Sequence, residues 1–491
     1  MELNWVWTSA ATLFACYFFV CKFLRGLNGW YYDLKLRNKQ YPLPPGDMGW
    51  PLFGNMLTFL KDFSSGHADS FINNLVSRYG RTGIYKTHLF LNPSIIVCAP
   101  ETCKRVLQDE ENYKHGYPTS TQELTRSRPF EGVAGAEHKR IRRLVTAPIV
   151  GQHMLVKYLE RIENIVINSL EELSTIKHPV ELLTETKKIS FKVIIHIFLG
   201  SYNEGIVTKV GDLFTVLFDG LFSVPINAPG FTFNKALKAR KKLVKIIQSV
   251  LDERKLMMKK GEIVDKRDLV DILLDVDGEN GKKLEDEDII DLLLALVFAG
   301  HETTATGMMW SLIHLTQHPD IMKKAKEEQE EIMKMRPSSQ KYLSLQEIKQ
   351  MVYLSKVINE TLRLANILFS AFRVATADVN INGYIIPKGW KVLVWLRAIH
   401  MDPEYHSNPE EFNPSRWDGY NAKVGAFLPF GTGSRLCPGS DLAKLEMSIL
   451  LHHFLLNYKL EQINSKCPIT NLPNTKPKDN CLAKVIKVPC A

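Results

Sequence analysis

Cysteine pairs at Cys-x-x-Cys spacing are missing from this sequence, although it holds eight cysteines in 491 residues. Without zinc-ligand spacing a structural zinc site is excluded. Thiols scattered through so long a chain read as reduced and cytosol-facing, not as a disulfide framework. No Gly-x-Gly-x-x-Gly follows a strand and opens a helix, so a nucleotide-binding redox unit is excluded as well. After the N-terminal region there is no Pro/Gly/Ser-rich linker, internal repeat or low-complexity tract. One large unit is therefore expected, where length alone suggests roughly three domains. A strong excess of one charge is also lacking: 62 Lys+Arg stand against 53 Asp+Glu, a net +9. That suits an anionic membrane surface or an acidic partner protein and falls short of a nucleic-acid footprint.

Charge is absent from Trp5 to Cys21, and the apolar run continues after Lys22 to Leu24. Lys22 can snorkel, which extends the run to about 30 Å at 1.5 Å per residue, enough for a bilayer. No basic stretch precedes it and no small-x-small cleavage site ends it, which argues against a removed signal peptide. Lys22, Arg25, Lys35, Arg37 and Lys39 follow, so the positive-inside rule puts the N-terminus in the lumen and the rest in the cytosol. The expectation is a single-pass anchor of the endoplasmic reticulum membrane over residues 1–25. A basic, proline-rich hinge over 26–55 comes next, with Pro42, Pro44, Pro45 and Pro51 holding an extended segment. Residues 56–491 are expected to form one large domain.

The most informative stretch is Phe430-Gly431-Thr432-Gly433-Ser434-Arg435-Leu436-Cys437-Pro438-Gly439. Its glycines permit tight turning and close approach to a flat partner, and the loop delivers one thiol to a fixed point. A metal ion or N–H donors at a loop-to-helix junction stabilise a thiolate there. Arg435 offers a planar cation for a carboxylate. A buried structural cysteine in a glycine-rich turn is the plainer alternative.

Elsewhere, Glu137 to Leu144 puts His138 and Arg142 on one helical face, beside Lys139, Arg140 and Arg143. Alone, such a run reads as a solvated basic face. Val224 to Phe233 is an apolar loop between amphipathic helices, either core packing or a lid dipping into a membrane surface. Asp286 to Gln317 reads as one helix, about 48 Å long, with acidic residues at its start and an apolar centre crossing the core. Ala299-Gly300-His301-Glu302-Thr303-Thr304 interrupts that centre, and Glu302 and Thr303 are costly to bury. A mid-helix threonine often only bonds back to the carbonyl four residues earlier. Glu360 and Arg363 share a helical face at i, i+3, and Phe412-Asn413-Pro414-Ser415-Arg416-Trp417 follows.

Taken in order, Ala299–Thr303, Glu360–Arg363, Phe412–Trp417 and Phe430–Gly439 resemble the four motifs of the cytochrome P450 family. The resemblance covers essentially the whole chain. It implies a mainly helical haem domain with small β-sheets after an N-terminal transmembrane anchor. Cys437 is then the axial ligand of the iron of haem b. Phe430, Gly433, Arg435 and Gly439 shape the cysteine loop, and Arg142, Arg373 and Arg435 hold the propionates. The family's usual Trp is His138 here, which leaves that position without its customary role. Glu302 and Thr303 would carry protons for oxygen activation, with His301 a wall residue and not a ligand. Glu360, Arg363 and Arg416 would form a buried structural network. Such a monooxygenase takes dioxygen and receives electrons from NADPH through a separate cytochrome reductase.

Within the family, Pro45 to Pro51, Ala299 to Glu302 and Asp441 to Glu446 resemble plant oxidases of ent-kaurenoic acid and their triterpene-oxidising relatives. Asn28 to Asp33, Tyr113 to Pro118 and Asp378 to Tyr384 look closest to the branch that oxidises β-amyrin at C-11. The pocket-wall candidates Leu124, Leu292, Ala295, Phe298, Ile367, Leu368, Phe369 and Phe372 are all apolar, which suits a neutral pentacyclic triterpene. Arg126 or Arg128 would hold a carboxylate if the substrate were the diterpene acid. A haem-thiolate isomerase or dehydratase is the other alternative; it has no need of Glu302 with Thr303.

Overall fold

The computed structural model describes every residue except 1, 127–135, 147–151, 201–203, 262–267, 276–283, 420–422 and 490–491. The chain divides into two compact units.

One unit comprises Met1–Gly116 and Ser370–Ile399. It begins with the helix Glu2–Lys35, which runs unbroken through the expected anchor boundary at residue 25 and is about 51 Å long. Phe14, Tyr17, Phe18, Phe19, Val20 and Phe23 all stand exposed on it. The alternating pattern after Gly83 predicts a hairpin, and Ile84–Leu89 does pair antiparallel with Asn92–Val97. A five-stranded sheet follows in the order Ile84–Leu89, Asn92–Val97, Lys391–Val394, Ala371–Ala375, Tyr113–His115. Asn92–Val97 runs parallel to Lys391–Val394; the other pairs are antiparallel. Phe59, Phe63, Phe71 and Trp395 fill this unit's core, with Phe71 and Trp395 stacked at 5.6 Å. Asn382-Gly383 is a turn signal that predicts short strands on either side, and Val379–Ile381 does pair with Tyr384–Ile386 as a hairpin. Both turn residues take positive φ (55° and 81°), which Asn and Gly tolerate.

The other unit, Tyr117–Phe369 with His400–Ala491, is mainly helical. Its axis is the helix Asp286–Gln317, with the bounds the sequence pattern predicts and Asp286, Glu287 and Asp288 in its first turn. Helices Leu182–Phe198, Thr232–Lys259, Val352–Ala365 and Ser440–Asn457 pack around it. Burial follows from the all-round apolar centre, where each enclosed Leu or Ile side chain contributes about 2 kcal/mol. The sequence pattern predicts one helix from about Leu345 through Glu360 and Arg363; the structure breaks it at Met351 into Leu345–Gln350 and Val352–Ala365. Ser344 and Glu347 close a reciprocal capping box at its start. In the apolar stretch after residue 223, Val224, Ile226 and Phe231 are exposed on the surface, and only Phe233 at its end enters the core.

Candidate active site

Cys437 sits on a loop closed by main-chain bonds. Its N–H donates to the Phe430 carbonyl at 2.9 Å, the Leu436 N–H to Gly433 O at 3.1 Å, and the Gly431 N–H to Leu428 O at 3.1 Å. Gly431 and Gly433 adopt φ of 73° and 77°, which explains two of the loop's glycines. Three residues past the thiol the helix Ser440–Asn457 begins, so the sulfur lies near a set of N–H groups at a helix start. Burial pushes the Cys437 thiol up; the Gly439 N–H and the charge of Arg142 pull the other way without reversing the direction. The loop on its own therefore favours the thiol, and the charge of a bound metal ion is what makes a thiolate the stable form. Among the described residues no cysteine is in a disulfide, Cys437 included.

Arg142, on the helix Ala136–Thr146, reaches this loop, donating from Nη2 to the Leu436 carbonyl at 2.5 Å. The side chains of His138 and Lys139 on the same helix lie outside the described residues, as does Arg128. Arg435 occupies the single turn Gly433–Arg435. Arg373 belongs to the other unit. It is buried on the strand Ala371–Ala375, its Nη1 donating to the Phe372 carbonyl at 3.0 Å.

The helix Asp286–Gln317 packs against Ser440–Asn457 and is buried nearly throughout its middle. The exceptions are Ala295, Phe298, Ala299, Gly300 and Thr303. Steps of three and four residues join Ala295, Phe298, Ala299 and Thr303 into one stripe, left open on a core helix, whereas Ile194 fills the space beside Gly300. An apolar open stripe, a loop carrying a lone thiol and an adjacent arginine suit a flat, largely apolar group with acidic edges. The residues fit haem. Of the other expected wall residues in this unit, Leu124, Leu292 and Phe369 are buried, Ile367 is partly buried, and Leu368 is 45% exposed. Phe372 lies in the first unit.

Thr303 Oγ1 donates to the Ala299 carbonyl at 2.8 Å, the back-bonded arrangement of a mid-helix threonine. Glu302 turns off the stripe. It is fully buried, pairs with Lys187 Nζ at 2.7 Å, and lies 3.7 Å from His301 Nε2. Nothing near Lys187 in the sequence signals this pairing, because its partner is more than a hundred residues away. His301 packs edge-on against Phe191 and Phe214, its Nδ1 at 2.9 Å from the Val297 carbonyl, and burial pushes its imidazole down. It is therefore enclosed by other side chains and lies off the open stripe.

Glu360 gathers five donors: Arg363 Nε and Nη2 at 2.9 and 2.8 Å, Arg416 Nε, Trp417 Nε1 and the Asn413 N–H, each at 3.1 Å. Burial alone would push its carboxyl up, yet these bonds and the two guanidinium charges hold it below the usual carboxylate range. Arg363 also donates to the carbonyls of His400, Pro409 and Glu411. His400 then carries the network onward. Its Nε2 accepts the Leu428 N–H at 3.0 Å, which fixes Nδ1 as the protonated nitrogen donating to Asn366 Oδ1 at 2.8 Å. Leu428 in turn accepts from Gly431, inside the cysteine loop. Sequence reasoning missed His400, Trp417 and Asn413 as members.

A family profile described as cytochrome P450 matches residues 44–483. The chain belongs to the cytochrome P450 family. It is thus a haem-thiolate monooxygenase, mainly helical with small β-sheets. This P450 is 69% identical to a "Beta-amyrin 11-oxidase" of Glycyrrhiza uralensis, over 100% of both chains. It is 51% identical to a 7,8-epoxymelianol synthase of Ailanthus altissima, covering 99% and 98%. Against ent-kaurenoic acid oxidase 2 of Arabidopsis thaliana it is 49% identical over 96% of each. Among solved structures it resembles retinoic acid-bound cyanobacterial CYP120A1, with a TM-score of 0.81 and 27% identity over 91% of this chain and 100% of that one. P450 monooxygenases of this kind draw electrons from a redox partner.

Proposed function

We propose that this P450 oxidises a neutral triterpene of the β-amyrin type at C-11, using haem b, dioxygen and electrons from an NADPH–cytochrome reductase. The observation that carries the substrate assignment is the 69% identity, without gaps in coverage, to the β-amyrin 11-oxidase. The apolar stripe of Ala295, Phe298 and Ala299 supports a substrate without charge. When bound, the haem supplies the dioxygen activation that inserts oxygen into an unactivated carbon–hydrogen bond.

The chain's own residues have separable tasks in this reading. Cys437 holds the iron through its sulfur, at a place set by the main-chain bonds of the loop, with the Gly439 N–H stabilising its negative charge. Phe430, Gly433 and Gly439 keep that loop's shape. Arg142, Arg373 and Arg435 bind the two propionates. Thr303 holds a proton at Oγ1 on the open stripe, and Glu302, paired with Lys187, is the carboxylate that relays protons from solvent. Glu360, Arg363 and Arg416 keep the support behind the loop rigid. Residues 1–25 anchor the chain once across the endoplasmic reticulum membrane, 26–55 form the hinge, and 56–491 stay in the cytosol; the exposed apolar face of the first helix supports the anchor.

Microsomes holding the chain and a reductase, supplied separately with β-amyrin and ent-kaurenoic acid, test the assignment. Oxygenation of β-amyrin at C-11 is the expected result. Turnover of the diterpene acid alone overturns the reading and favours the ent-kaurenoic acid alternative.

A further inference from the structure

The short helix Thr119–Thr125 is clamped at three points by groups that the catalytic reading does not use. Ser120 Oγ and Thr121 Oγ1 both donate to one acceptor, the Leu221 carbonyl, at 2.5 and 2.8 Å. At the other end Arg240 Nε donates to the Leu124 carbonyl at 3.0 Å. The same guanidinium, through Nη2, pairs with Asp291. Arg240 and Asp291 are only 8% and 6% exposed, so this is an ion pair inside the protein.

Three helices meet at that guanidinium. Arg240 comes from Thr232–Lys259, Asp291 from Asp286–Gln317, and the Leu124 carbonyl from Thr119–Thr125. Asp291 stands one turn before Ala295, where the open stripe begins. Space here is tight: a Cβ on Gly220 would come within 2.5 Å of Ala236 Cβ and 2.8 Å of Leu124 Cδ1. Buried ion pairs add little net stability over apolar packing of the same volume, and their best-attested use is to fix one arrangement among several. Arginine suits that use, because its rigid planar fork directs donors on separate nitrogens at two acceptors in fixed directions.

We propose that Arg240 is a positioning residue for substrate binding. Latched by Asp291, it holds the Leu124 carbonyl and so fixes the Thr119–Thr125 helix as a wall beside the open stripe. The Leu221 carbonyl ties the other face of that helix to the exposed apolar segment beginning at Val224, so the wall and the segment shift together. A large rigid substrate gains from a pre-set wall because no ordering cost falls on the binding step.

The proposal rests on the triterpene reading only for its probe. Three variants of the holoenzyme are compared: R240M, R240K and R240L/D291L. R240K keeps the charge beside Asp291 but lacks the Nε donor that holds the Leu124 carbonyl, and the double variant leaves no uncompensated charge should R240M fail to fold. Each is checked for a wild-type carbon monoxide difference spectrum. Then KM and kcat with β-amyrin and amide hydrogen exchange over residues 119–126 are measured. The expected result for folded R240K and the double variant is a KM raised roughly tenfold, a smaller change in kcat, and exchange over 119–126 accelerated about tenfold. Wild-type KM and wild-type exchange in either variant overturn the proposal. A wild-type enzyme inert to β-amyrin refutes the substrate assignment alone; the exchange measurement then decides the latch by itself.

Discussion

Replacing Glu360 by Gln keeps the size of the side chain and removes its charge from beneath two arginines. Arg363 is 0% exposed and Arg416 nearly so. In the wild type all five bonds to the carboxylate come from donors. Glutamine offers one oxygen, and its NH2 faces donors with nothing to accept. Breaking a buried ion pair on one side costs about 3–5 kcal/mol, since the remaining charge stays buried. Unfolding entropy near 2.1 cal/mol/K per residue gives ~1 kcal/mol/K for a chain this long, so Tm falls by about 3–5 °C. Urea unfolding followed by circular dichroism measures the loss directly. The wild-type carboxyl is depressed by folding. Its contribution is therefore complete above the unfolded value near 4.5 and vanishes as pH falls through the lower folded value. The Gln variant lacks this acid-side decline. An unfolding midpoint within error of wild type refutes the idea that the network is held by charge compensation.

Three further outcomes follow from the geometry. Cys437→Ser leaves the loop's main-chain bonds intact but removes the sulfur, so the reduced protein treated with carbon monoxide lacks the Soret position of a thiolate haemoprotein. Thr303→Ala removes a hydroxyl from the open stripe without removing a tertiary contact; product formation drops by about 10²-fold or more while peroxide release per NADPH consumed rises. His452 is fully buried, at 2.9 Å from Gln329 Oε1, and burial pushes its imidazole down to about 3. Such a group stabilises the fold fully above the ordinary value near 6.5 and progressively less as pH falls below it, by up to ~1.4 kcal/mol per pH unit. In His452→Leu the slope of stability against pH between 6.5 and 5 is shallower by that amount.

Legibility in the sequence followed how locally each feature is determined. The cysteine loop and the Glu360/Arg363 pair were readable because glycines, a thiol and i, i+3 spacing carry their meaning within a few residues. The long helix was readable over its whole length because its acidic start and apolar centre repeat the same statement turn after turn. Lys187, His400 and Arg240 were opaque for the opposite reason. Each acts on a partner distant in sequence, and a lysine on an amphipathic helix has the same local signature whether it meets water or Glu302. The break at Met351 is likewise absent from the periodicity, because the apolar face continues across it. The exposed stretch at Val224 was open to two readings, since apolar composition alone does not tell a covered loop from an uncovered one.

The Glu360 network also has an order in time. Glu360 and Arg363 can pair as soon as their own helix forms, but Asn413, Arg416 and Trp417 lie 53, 56 and 57 residues further along the chain. At about 5–20 residues per second, synthesis delivers them roughly 3–11 s later. Through that interval the half-built pair waits for its outer donors, and Cys437 has not yet been made. A chain stalled short of Trp417 carries a charged pair without its enclosure.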